Sequence, residues 1–440
     1  MTHRPRMPLV QVVYRALLRG FRVLSPTMMW GSSKLALGLR GRRDAHRTLV
    51  DWGLHRRDSN RPVVWFHASS VGEGLQAKVV LEALKTRSPD LQVVFTFFSP
   101  SAQTLAERFP ADVATYLPWD LPEVVGEIFD AVCPDLMVFT QKEVWPSVAA
   151  AAEDRGVPVA LVAGTLAGAA GRLSPMGKAL LGQAFRSLAR VAAISAADGE
   201  RFRGLEVAAE RIVVTGDPGV DYASGRAAAA DPATAHLQLF RDAPGPVLVA
   251  GSIWRSDEEV LLPGLARVRR DWPGLRVVLA PHEPEGWDLD GLATRLSSDG
   301  WSPVLLRDAE GLLRLDGADV VLVERVGVLA ELYTVASIAY VGGGFHGKGL
   351  HSVLEPAAAG VPVLFGPHHQ NSLAASDLLA CGGAMVVGGA DGLANVLQDL
   401  LGDADKLEDH GGRARNYIAE HRGAAGRTAD LLVDCLTENA

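Results

Sequence analysis

The chain has 440 residues, 48% hydrophobic and 21% charged, enough apolar material to fill two sizeable cores and too little polar bias for disorder. The formal charge of −8 is unevenly spread: residues 1–60 hold 12 Lys and Arg against 3 Asp and Glu, a balance of +9 that leaves −17 on the rest and argues against nucleic acid as a partner. Cys133, Cys381 and Cys435 stand far apart in no metal-ligand spacing, which speaks against a disulfide framework or structural zinc and fits a reducing cytosol.

From Pro8 to Leu24 the chain reads PLVQVVYRALLRGFRVL, with Gln11, Arg15, Arg19 and Arg22 at helical spacing and apolar residues elsewhere. This pattern predicts an amphipathic helix suited to an anionic membrane surface, its arginines near the phosphates. It is too short and too charged to span a bilayer. Its arginines and the basic run after it (Arg40, Arg42, Arg43, Arg47) argue against a signal peptide. A terminal helix docked on the protein's own core is the alternative the pattern leaves open. Residues 1–50 are read as a membrane-associating segment.

Next comes an alternation of strands and helices: strand Val63–Ala68, helix Gly74–Lys85, then strands Gln92–Phe98, Asp135–Thr140 and Val157–Val162. Residues 51–216 thus read as one doubly wound Rossmann-like half. Residues 217–245 lose the strand pattern and gain Ala, Gly, Pro and Asp, which suggests a linker. A second series fills 246–440: strand Val247–Ala250, helix Ser256–Arg270, strands Arg276–Ala280, Val320–Val323 and Ile338–Val341, a helix from about Ser352, and strand Val361–Phe365. In open α/β sheets ligands bind beyond the carboxyl ends of the strands, where the candidate residues fall.

One candidate is WFHASSVGEG, in which a strand ends in a Ser/Gly loop and Glu73 stands at the mouth of the next helix. A carboxylate there can face a ligand, although the helix dipole favours an acid in a first turn whatever its function. The other is GGGFHGKG, Gly342–Gly349. It lacks the acid about 20 residues on that a dinucleotide loop needs, and Gly349 stands where a P-loop has Ser or Thr. What remains is a loop able to bring backbone N–H groups to an anion, with Lys348 beside it, leading into a helix N-terminus.

WFHASSVGE, Lys142-Glu143-Val144-Trp145-Pro146, APHEPE (Ala280–Glu285) and AYVGGGFHGKGLHSVLEPAAAGVPVLFGPHHQNS resemble, in order and at family spacing, the successive motifs of the 3-deoxy-D-manno-octulosonic acid (Kdo) transferases. The likeness runs from roughly residue 10 to 420 and includes the segment KLALGLRGR. It implies the GT-B fold, two Rossmann-like domains facing a cleft, and inverting transfer from CMP-Kdo to a lipid A precursor, lipid IVA, at the cytoplasmic face of the inner membrane. Glu73 of the S-x-G-E motif, which includes Ser70 and Gly72, would be the general base. CMP carries no diphosphate, so loop amides at Gly343 and Gly344, with Lys348, would receive it without a metal or other cofactor.

The same resemblance places Glu355 on the ribose hydroxyls of CMP, although Ser352-x-x-Glu355 also reads as a capping box. His351 would border the phosphate, Gly251 and Ser252 would form a second phosphate-side motif, and Glu143 and His282 would lie near donor sugar and acceptor. Departures are visible: Gln141-Lys142-Glu143 stands where many relatives have E-T-E, Ser352 replaces Asn, and His282-Glu283 stands where many have Arg-His. Two rival readings share parts of this pattern. A GT-B transferase or epimerase using a UDP-sugar would keep the glycine loop and the ribose glutamate, and a non-catalytic paralogue binding lipid or nucleotide would not need Glu73.

Overall fold

The computed structural model describes residues 9–168, 171–241, 245–312, 315, 317–347 and 349–438. The chain forms two compact units, Met1–Asp221 with Gly423–Ala440, and Tyr222–Arg422.

The first unit is built on strands β1 (Val63–Ala68), β2 (Gln92–Phe97), β3 (Val113–Tyr116), β4 (Leu136–Thr140), β5 (Val159–Gly164), β6 (Arg190–Ala193) and β7 (Ile212–Val214). They lie in the order β3-β2-β1-β4-β5-β6-β7, parallel throughout. Every residue of β1, β2, β4 and β5 is buried. Helices cover both faces of such a sheet, so its central strands are apolar without alternation. Successive side chains still point to opposite faces: Trp65 joins Phe129 and Phe139 in one core, Phe66 joins Phe95 and Leu81 in the other.

Strand order reverses between β1 and β4, which makes the carboxyl ends of these two strands the topological switch point. Helix α1 (Leu9–Leu24) and helix α2 (Lys34–His55), capped by Ser33, precede the sheet; helix α3 (Val71–Arg87) follows β1.

α1 lies on this unit by its polar side. Gln11 Nε2 donates to the Leu180 carbonyl at 3.1 Å, Tyr14 donates to Asp120 at 3.0 Å, and Arg19 forms a two-pronged pair with Glu123 at 2.9 Å. Leu9, Val12, Val13, Leu17, Val23 and Leu24 are exposed instead. A helix on a globular surface usually turns the other way. Docking on the protein and an outward apolar face therefore occur together, and Arg19, read as a lipid contact, is engaged by Glu123. Among the described residues no helix is long and apolar enough to cross a membrane.

Residues 217–245, read as a linker, carry helices Pro218–Ala228 and Ala235–Arg241; alanine-rich chain is good helix former even where Gly and Pro punctuate it. The second unit holds β8 (Val247–Ile253), β9 (Arg276–Pro281), β10 (Pro303–Leu305), β11 (Val320–Leu322), β12 (Ile338–Val341), β13 (Val363–Phe365) and β14 (Ala384–Val386). Their order is β10-β11-β9-β8-β12-β13-β14, again parallel, with its reversal between β8 and β12.

The closing helix, Ala424–Thr437, groups with the first unit rather than with residues 246–440 as expected. Its stripe Ala425, Ala429 and Leu432 enters the core that α3 lines with Val80, Leu81 and Leu84. An i, i+4, i+7 apolar stripe must be buried somewhere, and α3 offers the matching face.

Candidate active site

In the first unit β1 runs into Ser69 and Ser70. Ser70 caps α3 by accepting the Glu73 N–H, and the Glu73 carboxylate reaches back to accept the Ser69 N–H at 2.6 Å. The dipole-and-cap reading of Glu73 is thus observed, but so is an unusual electrostatic state. The residue is only 6% exposed, and burial lifts its carboxyl to about 7, with Glu143 adding to the rise and the Ser69 bond, Lys142 and Arg172 opposing it. Glu143, on the loop after β4, pairs with Arg172 at 2.7 Å. Two carboxylates and a guanidinium therefore meet at the switch point. A Cβ added at Gly72 would meet nothing within 4 Å, so protein packing does not demand a glycine there.

Behind Glu73 stands a closed hydrogen-bond chain. Trp145 Nε1–H donates to His67 Nε2 at 3.1 Å, which leaves the proton on Nδ1 to donate to Thr96 Oγ1 at 3.1 Å. Burial holds His67 neutral, its pKa pushed down to about 3. Gln141, next after β4, sits at φ 61°, a left-handed conformation costly for a residue with a Cβ.

In the second unit the residues named from sequence gather beyond β8, β9 and β12. The pivot is Asp257, fully buried, which accepts the Trp254 N–H at 2.8 Å, the Tyr340 hydroxyl at 2.7 Å and the Gly343 N–H at 3.0 Å. This carboxylate fixes the start of the glycine loop. Gly343 has φ 96°, and a Cβ at Gly344 would come within 2.4 Å of the Gly366 nitrogen, so neither position tolerates a side chain.

Gly251 and Ser252 lie near the end of β8, just before Ile253, with Ser252 at φ 53°. Trp254 Nε1–H donates to His351 Nε2 at 2.8 Å, and its ring stacks on His282 and His346 at 4.9 and 4.6 Å. The His282 and His351 rings lie 4.1 Å apart. Burial, with His282 and His346 close by, brings His351 down to about 4, so it accepts hydrogen bonds as a neutral ring at physiological pH.

Glu355 is half-buried, and burial raises its carboxyl against the pull of Arg226. The capping box read into Ser352-x-x-Glu355 does not form: the helix Leu354–Ala359 has Val353 at its N-cap, and exposed Ser352 accepts from the Leu354 N–H instead. That helix has six residues and starts well past the glycine loop, so the loop does not lead directly into a helix N-terminus as expected. Lys348 lies outside the described residues.

Among the described residues no group of three His, Cys, Asp or Glu could hold a metal ion. Arg172, His67, Trp254 and Asp257 were missed in the sequence. A signal existed for two of them, since Trp254 and Asp257 directly follow the Gly251-Ser252 motif at a strand-to-helix turn.

The sequence profile of the family described as 3-deoxy-D-manno-octulosonic-acid transferase (kdotransferase) matches residues 46–221. The chain is 29% identical over 450 residues to the 3-deoxy-D-manno-octulosonic acid transferase of Bordetella pertussis, covering 96% of this chain and 99% of that one. It is 26% identical over 412 residues to the enzyme of that name from Haemophilus influenzae, covering 92% and 94%. Among solved structures, the UDP-GlcNAc 2-epimerase of Neisseria meningitidis bound to UDP-GlcNAc is similar at TM-score 0.57 and 14% identity, covering 86% of this chain and 100% of that one. That last likeness concerns the fold alone. With its two parallel seven-stranded sheets and its similarity to these enzymes along nearly the whole chain, the protein is a glycosyltransferase of the GT-B fold that is similar to the Kdo transferases.

Proposed function

We propose that this chain moves Kdo from CMP-Kdo to a lipid A precursor, lipid IVA, with inversion at the anomeric carbon, in lipopolysaccharide core biosynthesis. The observation that carries the reading is Glu73: a carboxylate at a switch point, buried and raised to about 7, which is the pKa range a general base needs near neutral pH.

A sugar hydroxyl is a poor nucleophile. Glu73 takes its proton as the oxygen attacks the anomeric carbon, and the bond from that carbon to the CMP phosphate breaks with its electron pair leaving on phosphate. Ser70 and Gly72 shape the loop beside the base, and Glu143 with Arg172 orients the acceptor. Amides at Gly343 and Gly344, with Lys348, Gly251, Ser252 and His351, receive the phosphate. Glu355 takes the ribose hydroxyls, His282 borders the donor, and no metal is called for. The test is transfer from CMP-Kdo to tetra-acylated lipid IVA by the purified chain. Turnover of a UDP-sugar instead, or nucleotide binding that requires a divalent ion, would overturn the assignment.

The lipid acceptor calls for a membrane surface, and the outward side of α1 supplies one. Seven large apolar residues of that helix are exposed, and Trp30, just beyond it, is 87% exposed. We place this face in the acyl boundary of the cytoplasmic leaflet, with neighbouring basic residues each contributing about 1 kcal/mol at an anionic surface, less at high salt. The double variant Val13→Glu/Leu17→Glu should lose most co-sedimentation with phosphatidylglycerol vesicles while its melting temperature stays within a degree or two, because both side chains already face solvent. Undiminished sedimentation would remove α1 from the membrane contact.

A further inference from the structure

Arg42, on α2, is 9% exposed, yet its guanidinium makes no ion pair among the described residues. It lies 3.8 Å over the ring of Phe98, with the rings of Trp119 and Trp145 at 5.8 and 5.9 Å. Its Nη2 is sealed from solvent with no hydrogen-bond partner among the described residues. The nearby carboxylate, Asp120, is already engaged by the Tyr14 hydroxyl and the N–H groups of Ser147 and Val148.

A buried arginine normally spends its five donors on carboxylates or carbonyls, and leaving a cation unpaired in a box of aromatic rings is costly. Cation–π attraction offsets only part of that cost. Burial draws the Arg42 pKa down to about 10, so the group remains a cation at neutral pH. The box reaches the surface at its rim, since Phe98 is 40% exposed and stacks on half-buried Trp145 at 5.5 Å. Trp145 in turn donates to His67, two residues before the serine pair that holds Glu73.

We propose that Arg42 and its aromatic box form a subsite for a phosphate monoester carried by the acceptor, engaged while the acceptor hydroxyl lies at Glu73. A guanidinium fork matches phosphate oxygens two at a time, and the flanking rings suit the apolar body of a lipid sugar. The proposal rests on reading the first unit as the acceptor side; it adds the group by which the acceptor is recognised.

The test compares the full wild-type chain with Arg42→Met, which keeps the stem's packing and removes the charge. Titration with glucosamine 1-phosphate should show wild-type binding that glucosamine lacks and that the variant weakens on the order of ten- to a hundred-fold. In turnover, KM for the phosphorylated acceptor should rise by a similar factor with kcat little changed, and a phosphate-free acceptor should be used equally by both proteins. Arg42→Lys keeps the charge but not the fork and should fall between them; it serves alone if the methionine variant does not fold. Unchanged phosphate affinity and unchanged KM overturn the proposal, leaving Arg42 as a packing residue. So does a loss confined to phosphatidylglycerol vesicles, which would give the box to a membrane headgroup. The binding arm needs no donor, so a failure of CMP-Kdo transfer with phosphate binding intact would sink the assigned reaction and spare the subsite.

Discussion

Glu73→Gln is expected to lower kcat by about 10²- to 10⁴-fold while CMP affinity stays at the wild-type value, the range general bases typically contribute. Glutamine keeps the shape and still accepts the Ser69 N–H, so the helix start survives. Wild-type kcat should climb as pH rises through about 7, where the carboxyl loses its proton, and the variant's residual rate should lack that step. Stability should move the opposite way. The folded pKa is raised above that of the unfolded chain, so the stabilising contribution is complete below about 4.5 and is lost as pH rises through about 7. Glu73→Gln should therefore match wild type at pH 4 and exceed it at pH 8, by up to about 3 kcal/mol. Calorimetric melts at the two pH values, beside single-turnover rates, decide it. Near-normal turnover in the variant would reduce Glu73 to a capping residue and pass the base role to Glu143.

Asp257→Ala should do what Glu73→Gln does not: abolish nucleotide binding and destabilise the second unit. Three donors, the Trp254 and Gly343 N–H groups and the Tyr340 hydroxyl, converge on this one buried carboxylate. Each donor left unsatisfied costs about 1–3 kcal/mol, so with three of them a loss of about 3 kcal/mol or more is expected. Denaturant melts should show the drop, and titration calorimetry should show CMP affinity falling below detection as the glycine loop loses its anchor. Retained CMP affinity would mean that the loop is fixed by its glycine packing alone.

Central strands were the readable part of the sequence. β1 and β12 match their expected bounds because each is a run of buried apolar residues between turn signals. β3, β6, β7, β10 and β14 went unseen. They are three or four residues long and lie toward the sheet edges; in β7 Val213 and Val214 are 40% and 51% exposed, so no continuous apolar run marks them. The same divide runs through the site. Glu73, Gly343 and Gly344 carry local signatures, a serine-glycine loop and a glycine run, that any reader of the chain meets. Arg172, 29 positions from its partner Glu143, and His67, 78 from Trp145, acquire their chemistry only through tertiary contact. Ser352-x-x-Glu355 shows the converse error: a valid local motif that the chain does not use, because its helix begins at Leu354.

The closing helix has a consequence for how the protein comes into being. The layer that seals α3 leaves the ribosome only after residues Tyr222–Arg422 have been made. Until then the half that carries Glu73 exposes an apolar stripe, and the nascent chain cannot complete that half however long synthesis pauses. Asp221 eases the final step, since its carboxylate accepts the N–H groups of Gly423 and Ala425 and so ties together the points where the chain leaves this half and re-enters it. The intervening residues then behave as a folded insertion between adjacent ends rather than as a loose loop of some 200 residues, whose closure would cost roughly 5 kcal/mol. The first unit, Glu73 included, is thus complete only when residues Tyr222–Arg422 have already been synthesised.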